Sequence, residues 1–136
     1  MPDNVWSHLA FTYDAAGGTN NLKLYLNGQL IAQTTTTGTL ATGDGLFFTG
    51  YYGIWDVAEL RLWNVVRTQP QIAATMKRSL VGNETGLNAY YTFKNTTKDI
   101  TGHGNDGILM YMEQYLRQTL LNAGAEPAIN FLLLGD

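Results

Sequence analysis

The stretch Leu22-Lys23-Leu24-Tyr25-Leu26-Asn27-Gly28-Gln29-Leu30-Ile31-Ala32 decides the fold class. Asn-Gly supplies the two positive-φ residues of a type I′ turn, whose twist matches that of antiparallel strands, so the spacing predicts a two-residue β-hairpin. That turn sets the register, with Leu26 opposite Gln29, Tyr25 opposite Leu30 and Leu24 opposite Ile31. Leu22, Leu24, Leu26 and Ile31 are then expected to share one face.

Upstream, Val5 to Tyr13 places Val5, Leu9, Phe11 and Tyr13 at even spacing with His8 and Thr12 on the other side, the pattern of a half-buried strand. Residues 14–21 carry the turn chemistry that separates it from the hairpin. Downstream, Thr34 to Thr37 suits an extended edge or loop, Leu46 to Thr49 a short strand, and Val57 to Trp63 alternates as a strand with one wet face. Thr68-Gln69-Pro70-Gln71 is a capping box with proline in the first turn, predicting a helix from Gln69 to Ser79 with Ile72, Met76 and Leu80 as its buried stripe. Leu87 to Phe93 alternates again, and Asp99 to Gly107 is a glycine-rich loop. Met110 to Asn122 favours a helix that Gly124 would stop, and Ile129 to Leu134 is a short apolar run.

Composition narrows the function. The chain has 136 residues, enough for one domain, with 45% apolar and 14% charged residues against a typical charged share of about 25%. Eight basic and eleven acidic residues leave a net charge of −3 without a basic block, so nucleic acid and anionic membranes are not expected partners. The absence of cysteine excludes disulfides, thiolate metal sites and thiol nucleophiles. No apolar run approaches the roughly 20 residues of a membrane helix, and Met1 to Asn4 holds no signal-peptide pattern.

Trp6-Ser7-His8-Leu9-Ala10-Phe11-Thr12-Tyr13-Asp14 with Leu24-Tyr25-Leu26-Asn27-Gly28 resembles the laminin-G-like modules of the concanavalin A-like lectin/glucanase superfamily. Glu59 to Asn64 with Arg67-Thr68 and Gln71-Ile72 resembles that family's closing strand and short helix. Gly86 to Phe93, then Asp99 and Gly102 to Gly107, resembles its opening strand and the loop after it. The resemblance implies an all-β, antiparallel jelly-roll β-sandwich over residues 1–110, with one short helix after the closing strand, in an extracellular or cell-surface setting. The opening motif follows the closing motif, so the sandwich is incomplete or permuted. Residues 111–136 form a divergent tail, read as a helix plus a short strand.

Chemistry is sparse. Glycoside hydrolysis needs two carboxylates roughly 5 to 9.5 Å apart, and Asp56 and Glu59, three residues apart on a strand, point to opposite faces. Ser7 and Ser79 are the only serines, and Ser7 diverges from His8. No catalytic residue is expected. Tyr51, Tyr52 and Trp55, bracketed by Gly50 and Gly53, are the candidate ligand-binding residues, because aromatic faces stack on the C–H faces of sugars. Asp99, Asn105 and Asp106 offer the oxygen ligands calcium prefers, against the alternative that Asp and Asn there serve the turns. The reading is a non-catalytic, lectin-like module binding carbohydrate or a protein surface, with calcium ordering a loop. The alternative is a structural or adhesion repeat that assembles with neighbouring copies, as a homo-oligomer or within a larger multidomain protein; a glycoside hydrolase remnant ranks third.

Overall fold

The computed structural model describes residues 5–39 and 56–108. Strands β1 (Leu9–Tyr13), β2 (Leu22–Leu26) and β3 (Gln29–Thr34) form one antiparallel sheet in that order. β4 (Leu60–Trp63) and β5 (Leu87–Tyr91) form a second antiparallel pair, with helix α1 (Gln69–Thr75) between them in sequence. The chain divides into compact units of residues 1–105 and 106–136. The short strand at 46–49, the aromatic segment at 50–55 and the tail from 111 onward lie outside the described residues. No helix among the described residues is long and apolar enough to cross a membrane.

The Asn-Gly turn forms as the sequence predicts, with φ of 49° at Asn27 and 78° at Gly28. Its first two pairs, Leu26 with Gln29 and Tyr25 with Leu30, hold, but a bulge between Leu24 and Tyr25 carries Leu24 onto Ala32. Ile31 therefore does not face Leu24, because a bulge sets two residues of one strand against one of the other. Asn27 also fastens β1. Its side-chain Oδ1 accepts the His8 backbone N–H at 2.9 Å, and its own N–H donates to the His8 carbonyl at 2.8 Å.

The faces are distributed differently from the expectation. Leu9, Phe11 and Tyr13 pair with Leu26, Leu24 and Leu22 on one side of the sheet, yet Phe11 is 72% exposed and Leu9 50%. Thr12 and Tyr25, on the opposite side, are the buried residues. Trp6, ahead of β1, is exposed as well. The buried apolar residues are Tyr25 of β2, Ile72 of α1 and Leu87, Ala89 and Tyr90 of β5.

The capping box closes as predicted, Thr68 N–H donating to Gln71 Oε1 at 2.9 Å and Gln71 N–H to Thr68 Oγ1. The helix ends at Thr75, four residues short of Ser79. The Arg61 guanidinium explains the early stop. It donates to the carbonyl of Thr75, the last helical residue, and to that of Arg78 in the turn beyond it, and so satisfies a carbonyl that a helix end leaves without an intrahelical partner. β4 also starts late, at Leu60, because Glu59 has φ of 58° and breaks the extended run. β5 stops at Tyr91, and Phe93, also left-handed at 56°, stacks on the Tyr91 ring at 5.7 Å.

Gly28 lies where the hairpin turn meets the helix segment. A Cβ there would lie 3.1 Å from Met76 Sδ and 3.2 Å from Ala73 Cβ, in a left-handed conformation. Gly28→Ala is expected to cost about 2 kcal/mol, combining φ strain with overpacking; equilibrium urea unfolding measures it, and an unchanged midpoint would show that the turn does not press on α1.

Candidate functional site

The loop after β5 is built on one carboxylate. Asp99, 7% exposed, accepts from Tyr90 N–H at 3.1 Å, Thr101 N–H at 3.0 Å and Thr101 Oγ1 at 2.7 Å through Oδ1. Its Oδ2 accepts from the Asn105 backbone N–H at 3.3 Å and from Asn105 Nδ2 at 3.2 Å. Burial alone pushes this carboxyl up, but the bonds from Thr101, Tyr90 and Asn105 outweigh it and bring the pKa from 3.8 down to about 2.

The same loop seals the outer edge of β5. Tyr90, whose N–H goes to Asp99, accepts at its carbonyl from Ile100 N–H at 2.8 Å. The Asn88 carbonyl takes His103 Nδ1 at 3.0 Å and Asn105 Nδ2 at 3.1 Å. Residues 99–105 thus satisfy, largely with side chains, the backbone groups that a sixth strand would otherwise reach.

One face of this strap forms a cleft. Asn64 at the end of β4, the turn of Gly82, Asn83, Glu84 and Gly86, Leu87, and Thr101 and His103 of the strap enclose about 360 Å³. The turn is folded by Glu84, whose Oε1 and Oε2 accept the N–H groups of Val81 and Gly82, each at 2.9 Å. Burial raises the Glu84 carboxyl and these backbone donors more than offset it, leaving its pKa below the usual value. Asn64 N–H donates to the Gly86 carbonyl at 2.9 Å, anchoring the turn to β4. Gly82 lets turn and strap meet, since a Cβ there would stand 2.8 Å from the Ile100 carbonyl oxygen.

The chemistry of this cleft is polar. A carbonyl only accepts, so His103 Nδ1, bonded to Asn88, carries the ring proton and leaves Nε2 as an acceptor in the neutral ring. Asn64 and Asn83 each bring an amide with donors and an acceptor, and the Glu84 oxygens retain unused lone pairs beyond the two backbone bonds. Such a set matches ligands carrying several hydroxyls.

Glu59 is engaged elsewhere. Its Oε2 accepts from Tyr90 Oη at 2.6 Å and Arg61 at 3.0 Å, and Oε1 from Ser79 Oγ at 3.2 Å. Burial raises its carboxyl, and hydrogen bonds from Tyr90, Arg61 and Ser79 prevail and lower it. This is an ionised tie between β4, β5 and the segment after α1, in place of a proton donor. The His8 pKa is lowered, by burial first and by the Arg61 charge second.

Tyr51, Tyr52 and Trp55 lie outside the described residues. Asp99 and Asn105 come together, and Asp106 is exposed. Asp99 as arranged does not fit a cation, because both its oxygens face N–H and O–H donors, which calcium would have to displace. Asn64, Asn83 and Glu84 were not singled out by sequence, and His103 was read only as a loop residue. The signal available was the turn Gly82-Asn83-Glu84-Thr85-Gly86, with a carboxylate positioned to fold back on its own backbone.

Comparison with protein families matches residues 1–73 to the model Laminin_G_3, described as the concanavalin A-like lectin/glucanases superfamily. No curated protein and no solved structure matches the chain.

The depressed Asp99 pKa has a definite sign. A carboxyl whose folded pKa lies below its unfolded one contributes stability that is present above pH 4 and lost as pH falls toward 2. Asp99→Asn is expected to cost about 2 to 3 kcal/mol at neutral pH, since an amide NH₂ faces donors where an oxygen accepted. It should also flatten the acid limb of stability between pH 4 and 2; thermal unfolding across that range checks both, and an unaltered acid limb would remove Asp99 from the account.

Proposed function

The chain belongs to the laminin G family within the concanavalin A-like lectin/glucanases superfamily, and from that membership we propose a non-catalytic, lectin-like module that binds hydroxyl-rich carbohydrate. The observation that carries this reading is the cleft of Asn64, Asn83, Glu84 and His103, whose acceptors and amide donors match the alternating donor and acceptor character of sugar hydroxyls. Its walls are rigidly set, the turn by Glu84 and the strap by Asp99. Little ordering is therefore required on binding. The engagement of Glu59 with Tyr90, Arg61 and Ser79 supports the non-catalytic part.

In this reading Tyr51, Tyr52 and Trp55 offer apolar ring faces to the same class of ligand. Calcium is not what orders the strap, because Asp99 already accepts five protein hydrogen bonds. Calcium addition should leave the melting temperature unchanged. A rise of several degrees, abolished in Asp99→Asn, would return Asp99, Asn105 and Asp106 to the role of ligands.

Binding is tested by calorimetry and tryptophan fluorescence with a panel of neutral oligosaccharides. The wild-type chain should bind at least one, and the double variant Asn83→Ala, His103→Ala should weaken that complex about tenfold or more, at about 1 kcal/mol for each lost hydrogen bond. Loss confined to Tyr51→Ala, Tyr52→Ala and Trp55→Ala would transfer the site to the aromatic segment. A folded wild-type chain that binds none of the panel would overturn the carbohydrate reading.

A further inference from the structure

Each wall of the cleft holds a carboxylate. Glu84 lines it directly, in the turn, with Oε1 and Oε2 anchored on the N–H groups of Val81 and Gly82. Burial raises its carboxyl, and those backbone donors prevail and lower it, so the group is ionised at neutral pH. In the strap, Asp99 stands behind Thr101, a cleft residue whose N–H and Oγ1 both donate to Asp99 Oδ1, at 3.0 and 2.7 Å. Among the described residues no Lys or Arg lines the cleft. The cation whose charge reaches Glu84 is Arg61, and it acts from the interior: its side chain is 8% exposed and its donors are taken by Glu59 and by the Thr75 and Arg78 carbonyls.

The consequence is a selection by sign. A second negative charge brought within a few ångströms of Glu84, where bulk water is partly displaced, is repelled more strongly than in open solution. With no cation at the wall to compensate, like charges face each other and affinity falls. A hydroxyl meets no such penalty and donates to the Glu84 lone pairs that Val81 and Gly82 leave unused. An ammonium donates to the same lone pairs and gains a charge-assisted bond.

We propose that Glu84 is the specificity-determining residue of the cleft, through which it accepts neutral and amino sugars and rejects uronates and other acidic sugars. This inference rests on the carbohydrate reading above and goes beyond it by assigning the charge of the ligand. Discrimination of this kind needs a repulsive element as well as attractive ones, and the carboxylate that folds the turn supplies it.

The test is calorimetry on the full 136-residue chain at about pH 7.5, where carboxylates and alkyl amines are charged and an ordinary imidazole is mostly neutral. The probes are a neutral oligosaccharide and two forms of it altered at the same C6 hydroxyl, one oxidised to the carboxylate and the other the 6-amino-6-deoxy sugar. Both forms lose the same hydroxyl, so a lost contact weakens them alike and charge alone separates them. The carboxylate form should bind about tenfold more weakly than the amino form. That gap should narrow as salt rises from about 0.01 to 1 M and the screening length shrinks from about 30 to 3 Å, a reading that needs no substitution. Glu84→Gln, with its fold checked by circular dichroism and melting, should narrow the gap whatever it does to the neutral affinity. Equal affinities for the two charged forms, tighter binding of the carboxylate form, a gap indifferent to salt, or one unchanged in folded Glu84→Gln overturns this inference and leaves the carbohydrate reading standing. A wild-type chain that binds no neutral oligosaccharide overturns that reading and this inference with it.

Discussion

The Arg61 guanidinium, only 8% exposed, is the interaction on which the second sheet and the helix depend. It donates to the Thr75 carbonyl at the end of α1 and to the Arg78 carbonyl just beyond it, pairs with Glu59 at 3.0 Å, and lies 5.7 Å from the centre of the Tyr90 ring. A charge so buried is costly unless its donors are satisfied, and breaking such an arrangement costs more than forming it contributes. Three consequences share this cause. α1 is cut short, Glu59 takes a left-handed backbone to reach its partners, and Tyr90 is fixed as the largest fully buried side chain. The Tyr90 phenol pKa is raised independently of Arg61, by burial first and by the Glu59 bond second.

From Tyr90 the organisation passes to the cleft. The backbone of Tyr90 is where the strap attaches, through Asp99 on one side and Ile100 on the other. The strap in turn holds His103 against Asn88 and meets the Gly82 turn. A side chain buried in the core thus sets the position of an exposed histidine without touching it. The same attachment closes one sheet edge, so ordering the cleft wall and protecting the strand are one structural act.

Much of this architecture was legible in the sequence where the determinants were local. Asn27-Gly28 fixed a turn, Thr68 to Gln71 a helix start, and the alternating runs four of the five strands, because each is decided by backbone chemistry within a few residues. What escaped was set at long range. The early end of α1 and the turn at Glu59 depend on partners many residues away, and no periodicity encodes them or the bulge beside Ile31. The exposed side of β1 inverted the expected faces for the same reason, since alternation assigns residues to two sides and does not say which side is covered. Asp99 illustrates the ambiguity at the site. Oxygen-rich residues on a glycine loop suit a cation or suit backbone donors, and only the orientation of those donors separates the two.

A chain with 14% charged residues has few to place, and the structure commits several of them inward. Arg61 and Glu59 join strands and helix, Asp99 folds the strap, and Glu84 folds the turn opposite it. The other groups that line the cleft are the amides of Asn64 and Asn83 and the ring of His103, beside the Glu84 carboxylate that folds the turn. Amide hydrogen-bonding groups act over contact distances and confer little long-range steering. Under the proposed carbohydrate-binding role, that division of labour favours complementary hydroxyls and amides at close range.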